Sequence, residues 1–162
     1  MNQQPERSPV LVMGVGNMLR GDDGFGVAVL DEVGTRILPG KVDLLDAGTS
    51  IIDMMEELHG RSKVVVIDAV RGGQSPGTLY RFSPEDVAAE AVPADSLHQV
   101  GLLETLRLAE LVDCRPEQVV IIGAQPEDTS LRIGLTEAVA AAVPRAAEMV
   151  MAEINGDVAD RN

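Results

Sequence analysis

The sequence predicts a three-layer α/β/α sandwich with a mixed five-stranded sheet. Apolar runs alternate along the chain with segments whose apolar residues recur at helical spacing. Some runs are apolar at nearly every position, as is typical of parallel strands covered on both faces. The 162 residues, 45% of them hydrophobic, suffice for one domain with one packed core. We expect that domain at residues 9–154, with flexible tails at 1–8 and 155–162.

The first strand and helix follow directly from this pattern. Val10–Val15 is an almost continuous apolar run and predicts a buried strand. Apolar residues then recur at helical spacing from Gly26 to Ile37, and Pro39 supplies a stop signal. This part of the chain is therefore predicted to form a strand, a turn and an amphipathic helix.

Two more strands flank a second helix. Val42–Leu45 predicts a short strand, and Val64–Ile67 gives the strongest strand pattern in the chain. Between them, apolar residues at 51–58 predict a helix that Thr49 or Ser50 can cap through its hydroxyl.

The second half of the chain completes the predicted sheet. Thr78–Phe82 alternates polar and apolar residues, as an edge strand does, and the short link before it favours an antiparallel direction. Residues 84–97 are rich in loop signals. A helix is predicted from His98 to Ala109, a fifth strand at Val119–Ile122 and a last helix at about 135–154.

Charge and cysteine content exclude several classes of function. The 13 Lys and Arg residues against 26 Asp and Glu give a net charge of −13, which argues against nucleic acid or an anionic membrane as partner. The single cysteine, Cys114, has no internal disulfide partner, and neither a secretory signal nor a membrane-spanning run is found. We therefore expect a cytoplasmic protein.

A glycine-rich segment, residues 14–24, lies between the first strand and the first helix. It fails as a dinucleotide-binding fingerprint, because Leu19 occupies the position of the third glycine. Asp22 and Asp23 would also repel a phosphate, whereas they would attract a cation. The simpler alternative is that one of these carboxylates caps the helix.

Asp68 and His98 are further candidates for a functional site. Asp68 closes a buried strand, at the edge of the sheet where ligands bind in α/β folds, although an Asp there can also form a turn with the following amides. His98 begins a helix, where a neutral imidazole suited to a metal is favoured, although a lone histidine often has no such role. His59 is interpreted as a residue at a helix carboxyl end.

The combination of Asp23, Asp68 and His98 is more informative than any one of them. All three are expected at the carboxyl edge of the sheet. Two carboxylates and an imidazole suit Zn, Ni, Fe or Mn and leave coordination positions open. Asp46, at the end of the second strand, could line the same crevice, whereas Cys114 is expected on the opposite side.

Four segments in this order resemble the hydrogenase maturation endopeptidases, over about residues 10–150. The resemblance implies a phosphorylase/hydrolase-like α/β/α sandwich with a mixed five-stranded sheet. The matching segments are Gly14–Val27, Ile67–Ala69, His98–Leu102 and, more weakly, Gly123–Pro126.

The resemblance also implies a substrate and a role for nickel. Enzymes of this family remove a C-terminal extension from the precursor of the NiFe hydrogenase large subunit after nickel insertion. Asp23, Asp68 and His98 match the proposed nickel-sensing ligands, so nickel would arrive with the substrate and no permanently bound cofactor is expected. Ala47 stands where the family often has glycine, which bears on the loop shape and on the hydrogenase recognised.

The attacking group stays open. The sequence has neither a G-x-S-x-G elbow nor an H-E-x-x-H motif. Either bound nickel polarises the scissile carbonyl, or a carboxylate among Asp23, Asp46 and Asp68 activates water in an aspartyl-type mechanism. The main alternative from another class is a non-catalytic nickel chaperone or assembly factor that uses the same three ligands.

Overall fold

The computed structural model describes residues 7–88 and 97–159, apart from the side chains of 88, 97–100 and 157–159. Two short 3-10 helices, Gly21–Gly24 and Ile52–Met54, precede the first and second α-helices. The strands and α-helices follow in the order β1 (Val10–Val15), α1 (Phe25–Gly34), β2 (Val42–Gly48), α2 (Met55–Leu58), β3 (Lys63–Ala69), β4 (Leu79–Phe82), α3 (Pro84–Ala88), α4 (Leu97–Leu111), β5 (Gln118–Ala124) and α5 (Glu137–Ala159).

The predicted mixed sheet is confirmed. Its strand order is β2-β1-β3-β5-β4, with β2, β1, β3 and β5 parallel and β4 antiparallel at one edge. Strand β4 pairs with β5 and not with β3, the strand that precedes it in the chain. In the sheet, β5 lies between β3 and β4. Gly14 of β1 lies opposite Ile67 of β3, and Asp68 of β3 lies opposite Gly123 of β5.

Alternate residues of each strand contribute to two cores on opposite faces of the sheet. Val65 and Ile67 pack with α1 and α5 on one face. Val64 and Val66 pack on the other face with α2 and α4, where Leu106 is fully covered. These are the three predicted layers, and they leave the loops at the strand ends as the natural place for a site.

The first helix is shorter than its apolar spacing predicted. It ends at Gly34, and Ile37, which was expected on its buried face, is 95% exposed. The amide of Thr35 donates to the carbonyl of Glu32, and that of Arg36 donates to Val33. These bonds to the third preceding residue close the last turn, so the apolar pattern beyond it carries no helix.

The second helix is shorter than predicted, and the predicted N-cap residue was wrong. Strand β2 continues to Gly48, and the helical segment is a 3-10 turn followed by the four residues of α2. Ile51 occupies the N-cap position and no side chain caps the turn, so neither Thr49 nor Ser50 has the expected role. Buried Ile51 and Leu58 hold this short segment on the sheet.

At both ends of the described chain, the ordered structure extends beyond the predicted domain of residues 9–154. The Ser8 hydroxyl donates to Asp43 at 2.7 Å, and the Arg61 guanidinium donates to the Ser8 carbonyl at 2.6 Å. At the other end, α5 continues to Ala159, so residues 155–159 are helical and not a tail. Residues 84–88 form α3 where loop was predicted, and 89–96 lie outside the described residues.

Within residues 7–88 and 97–159, no helix has the length and apolar character needed to cross a lipid bilayer.

Candidate functional site

The sheet has one topological switch point, between β1 and β3. The chain leaves β1 for β2 on one side, and the later strands add on the other side. In open α/β sheets a crevice forms at the carboxyl ends of such a strand pair. The loop after β1 carries Asp23, and Asp68 is the last residue but one of β3. The 3-10 helix that contains Asp23 packs against β3.

The glycine-rich loop folds back on Asp23. The amide of Asn17 donates to the Asp23 carboxylate at 2.9 Å. Gly16 has a φ of 132°, and a Cβ atom there would overlap the Asp23 carbonyl oxygen. A Cβ atom on Gly14 would lie 2.7 Å from the carbonyl oxygen of Gly26 in α1. The glycines therefore permit close packing of backbone segments around Asp23, which gives the glycine-rich loop a structural reason.

The two neighbouring aspartates have different environments, and neither caps a helix. The N-cap residues of the 3-10 helix and of α1 are Arg20 and Gly24, and no side chain makes a capping bond at either. The side chain of Asp23 is half-buried, whereas Asp22 is fully buried. The predicted capping alternative was therefore wrong for both residues.

Asp22 instead fastens the loop that follows β5. Its carboxylate accepts hydrogen bonds from the amides of Glu127 at 2.8 Å, Asp128 at 3.0 Å and Thr136 at 2.7 Å, and from the Thr136 hydroxyl. Burial alone raises the pKa of Asp22, but these hydrogen bonds outweigh it and hold the pKa below its ordinary value. Sequence spacing could not separate this structural carboxylate from Asp23.

Asp68 is buried at the end of β3. Its Oδ1 accepts the amide of Ala69, the next residue and the last of β3, at 2.8 Å. Because Val64 and Val66 pack against the α2 and α4 side, strand alternation places Asp68 on that same face. Asp68 therefore lies on the side of the sheet that α4 covers.

His98 is the second residue of α4, and its side chain is outside the described part of the structure. Helix α4 leads back to the beginning of β5, which is parallel to β3, so its first turn lies toward the carboxyl edge. The backbone thus brings the three predicted ligands to one edge. Among the described side chains, which do not include His98, no three of His, Cys, Asp or Glu form a metal-binding group.

Asp46 is separated from Asp68 by the sheet itself. Leu45 and Ala47 pack in the α2 and α4 core, so alternation places Asp46 on the opposite face, where it is exposed. Its Oδ1 accepts the amide of Gly48 at 2.9 Å and shapes the end of β2. The positive φ in this segment, 57°, belongs to Gly48 and not to Ala47, so alanine fits there without strain.

The remaining candidates lie away from this edge. Cys114 follows α4 and precedes β5, which places it toward the amino ends of the parallel strands, as expected. His59 is the exposed C-cap residue of α2, which agrees with its interpretation as a helix-end residue.

Comparison with known proteins decides the family. Residues 27–153 match the family model described as hydrogenase maturation protease. The chain belongs to that family. It is 33% identical over 147 residues to the hydrogenase 2 maturation protease of Escherichia coli, with 90% of each chain covered. It is 36% identical over 149 residues to the hydrogenase expression/formation protein HoxM of Cupriavidus necator, with 87% of this chain and 73% of the relative covered.

A solved structure shares the fold throughout. The hydrogenase maturating endopeptidase HybD of Escherichia coli superimposes with a TM-score of 0.84 at 32% sequence identity, and the match covers 94% of each chain. This hydrogenase maturation protease is thus a hydrolase that acts on peptide bonds. That assignment disfavours the non-catalytic chaperone.

No sequence pattern of this protease predicted a role for Gln125, which lies at the same edge of the sheet. Gln125, which follows β5, accepts hydrogen bonds on Oε1 from the amides of Gly72 and Gly73, at 2.8 and 3.0 Å, and from the Tyr80 hydroxyl at 3.0 Å. It thereby fixes the loop that follows Asp68. The Gly-Ala-Gln-Pro segment was the available signal, but no spacing rule assigns that role to its glutamine.

Proposed function

We propose that this protease removes the C-terminal extension of a NiFe hydrogenase large-subunit precursor after nickel insertion, and that nickel held by the precursor is bound by Asp23, Asp68 and His98. One observation carries the proposal. The two carboxylates flank the switch point of the sheet, and the helix with His98 begins at the same edge. Family membership supplies the peptidase activity.

The donor set favours a metal that arrives with its own ligands. Two carboxylates and one imidazole leave coordination positions open on a nickel ion, and precursor cysteines would fill them. A precursor without nickel lacks this binding contribution, so it is bound more weakly and spared. No permanently bound cofactor is needed in this scheme, because nickel belongs to the substrate.

Hydrolysis requires a water molecule at the scissile carbonyl. The water oxygen bonds to the carbonyl carbon, the C–N bond breaks, and a proton passes to the leaving nitrogen. Nickel can polarise the carbonyl, or a carboxylate can accept the water proton in an aspartyl-type reaction. The position of Asp23 and Asp68 at the carboxyl edge supports that second role for them, whereas Asp46 lies on the face of the sheet opposite Asp68.

The composition of the chain supports a cellular compartment and disfavours two classes of partner. A single cysteine suits the reducing cytoplasm, and a net charge of −13 disfavours nucleic acid and anionic membranes as partners. The precursor of the hydrogenase large subunit is therefore the partner we propose.

A cleavage assay with nickel-loaded and nickel-free precursor tests this function. Wild type, His98→Ala and Asp46→Asn are mixed with each form, and the mass of the precursor is measured over time. We expect wild type and Asp46→Asn to shorten only the nickel-loaded precursor, and His98→Ala to leave it intact. Equal cleavage of nickel-free precursor would contradict nickel sensing. Nickel binding without cleavage by any variant would instead favour the chaperone.

A further inference from the structure

An exposed patch of leucine, isoleucine and arginine side chains borders the candidate site. Its apolar members are among the most solvent-exposed large side chains in the described residues: Leu131 is 87%, Ile133 84% and Leu19 59% exposed. Exposed apolar residues that lie together mark a surface for a partner. This loop patch consists of Leu19, Arg20, Arg71, Leu131, Arg132 and Ile133.

Backbone hydrogen bonds hold the loop patch together. The amide of Arg132 donates to the Leu19 carbonyl at 3.0 Å, and the amide of Gly21 donates to the Arg132 carbonyl at 2.9 Å. Arg20 and Arg132 thus form a parallel β-bridge between the loop after β1 and the loop after β5. Leu131 and Ile133 flank this bridge on one strand of it, and Leu19 flanks it on the other.

The arginines converge on the same loop. Arg20 Nε donates to the Thr129 carbonyl at 3.2 Å, and an Arg71 guanidinium nitrogen donates to the Thr129 hydroxyl at 2.8 Å. Arg132 pairs with Asp128 at 3.5 Å. Two of the three guanidinium groups are thus held by uncharged oxygens, and they keep donors for a carboxylate brought by a partner.

Position and charge together indicate the occupant. Arg20 is three residues before Asp23, and Arg71 is three residues after Asp68, so the loop patch adjoins the segments that carry those carboxylates. The whole protein carries a net charge of −13, which repels an acidic partner over most of its surface. The segments 18–20 and 128–133, with Arg71, contain three arginines and one carboxylate, Asp128, which pairs with Arg132. Charge complementarity therefore favours a segment with both carboxylate and apolar side chains.

We propose that the loop patch is the docking surface for an extended segment of the hydrogenase precursor in which apolar side chains lie next to carboxylates. This inference rests on the proposed function, since it names where the precursor of that reaction binds. Docking here supplies affinity that does not depend on nickel, whereas Asp23, Asp68 and His98 respond to the metal.

The test measures the Kd of immobilised precursor for the full-length protein and, separately, the KM and kcat of cleavage. Two variants alter the loop patch: the double variant Leu131→Ser/Ile133→Ser and the charge reversal Arg71→Glu. The matched controls are Leu111→Ser/Val112→Ser, exposed at the end of α4, and Arg145→Glu, exposed on α5. Thermal melting checks that every variant is folded.

We expect both patch variants to raise Kd and KM roughly tenfold with kcat nearly unchanged, as is typical when interface anchors are removed. The effect of Arg71→Glu should shrink at high salt, because it is electrostatic. Both control variants should match wild type.

Unchanged Kd and KM in the patch variants would overturn the docking surface and leave the proposed function standing if wild type cleaves. Patch-dependent binding without any cleavage by wild type would support the docking surface and contradict the proposed function. A patch variant that turns a dimer into a monomer, with unaltered Kd for the precursor, would assign the surface to a second copy of the chain.

Discussion

Replacement of Asp22 by asparagine should destabilise the protein by about 3 kcal/mol. In the wild type, one buried carboxylate accepts three backbone amides and a hydroxyl. Asparagine keeps one oxygen, and its amide group cannot accept the donors that the second oxygen served. Hydrogen bonds to a charged group contribute about 1.5–3 kcal/mol each, and a buried donor left without a partner costs about 1–3 kcal/mol. A loss of that size lowers Tm by about 6–12 °C in a domain of this length.

Urea and thermal unfolding of wild type, Asp22→Asn and the neighbouring Asp23→Asn measure this effect. Asp23→Asn should change the free energy of unfolding by less than about 1 kcal/mol, because an asparagine oxygen still accepts the Asn17 amide. It should nevertheless abolish cleavage of nickel-loaded precursor. If Asp22→Asn has the same Tm as wild type, the Asp22 carboxylate does not stabilise the loop after β5.

The pH dependence supplies an independent check on Asp22. Folding lowers its pKa below the ordinary value of 3.8, so its contribution is complete above that pH and is lost as the pH falls through the lower folded-state pKa. The difference in unfolding free energy between wild type and Asp22→Asn should therefore be constant near neutral pH. It should shrink below about pH 4, and a difference that grows in acid would refute the argument.

Three other substitutions have definite expected outcomes. Gly16→Ala places a Cβ atom against the Asp23 carbonyl at a φ of 132°, so it should slow precursor cleavage and cost about 1–3 kcal/mol in urea unfolding; wild-type cleavage would contradict that packing. Glu153→Gln removes the charge partner that lies 2.8 Å from buried Lys63, and should cost about 1–3 kcal/mol at neutral pH by thermal melting. The cost should fall in acid, because folding lowers the pKa of Glu153. Cys114→Ser should leave kcat unchanged, because the thiol lies toward the amino edge; lost activity would reopen a thiol mechanism.

Strands β1 and β3 were predictable because each is a nearly continuous apolar run in the sequence. Val10–Val15 and the core of β3 are apolar at almost every position, which is typical of strands covered on both faces. Helix ends were less predictable, because Ile37 fits the apolar spacing of α1 but lies beyond the last helical hydrogen bonds. No local pattern shows that β2 continues to Gly48, since that extension depends on pairing with β1.

The sequence predicts which edge of the sheet holds the candidate site, but not the environment of each carboxylate there. Asp23 and Asp68 follow strands that the pattern identifies, and parallel strands place their carboxyl ends together. The division between Asp22 and Asp23 depends on residues 127–136, more than 100 positions away in sequence, so no spacing argument reaches it. The face of Asp46 likewise depends on which core receives Ala47, and that is decided by tertiary packing.

The adjacent aspartates link the two surfaces that the proposals assign to the precursor. Asp22 binds the loop after β5 and so positions the segment with Leu131 and Ile133, while Asp23 lies half-buried in the 3-10 helix that packs on β3. Both belong to one four-residue 3-10 helix, whose place is fixed by the Gly16 turn and by packing on β3. A shift of this helix would therefore move the loop patch and a candidate nickel ligand together.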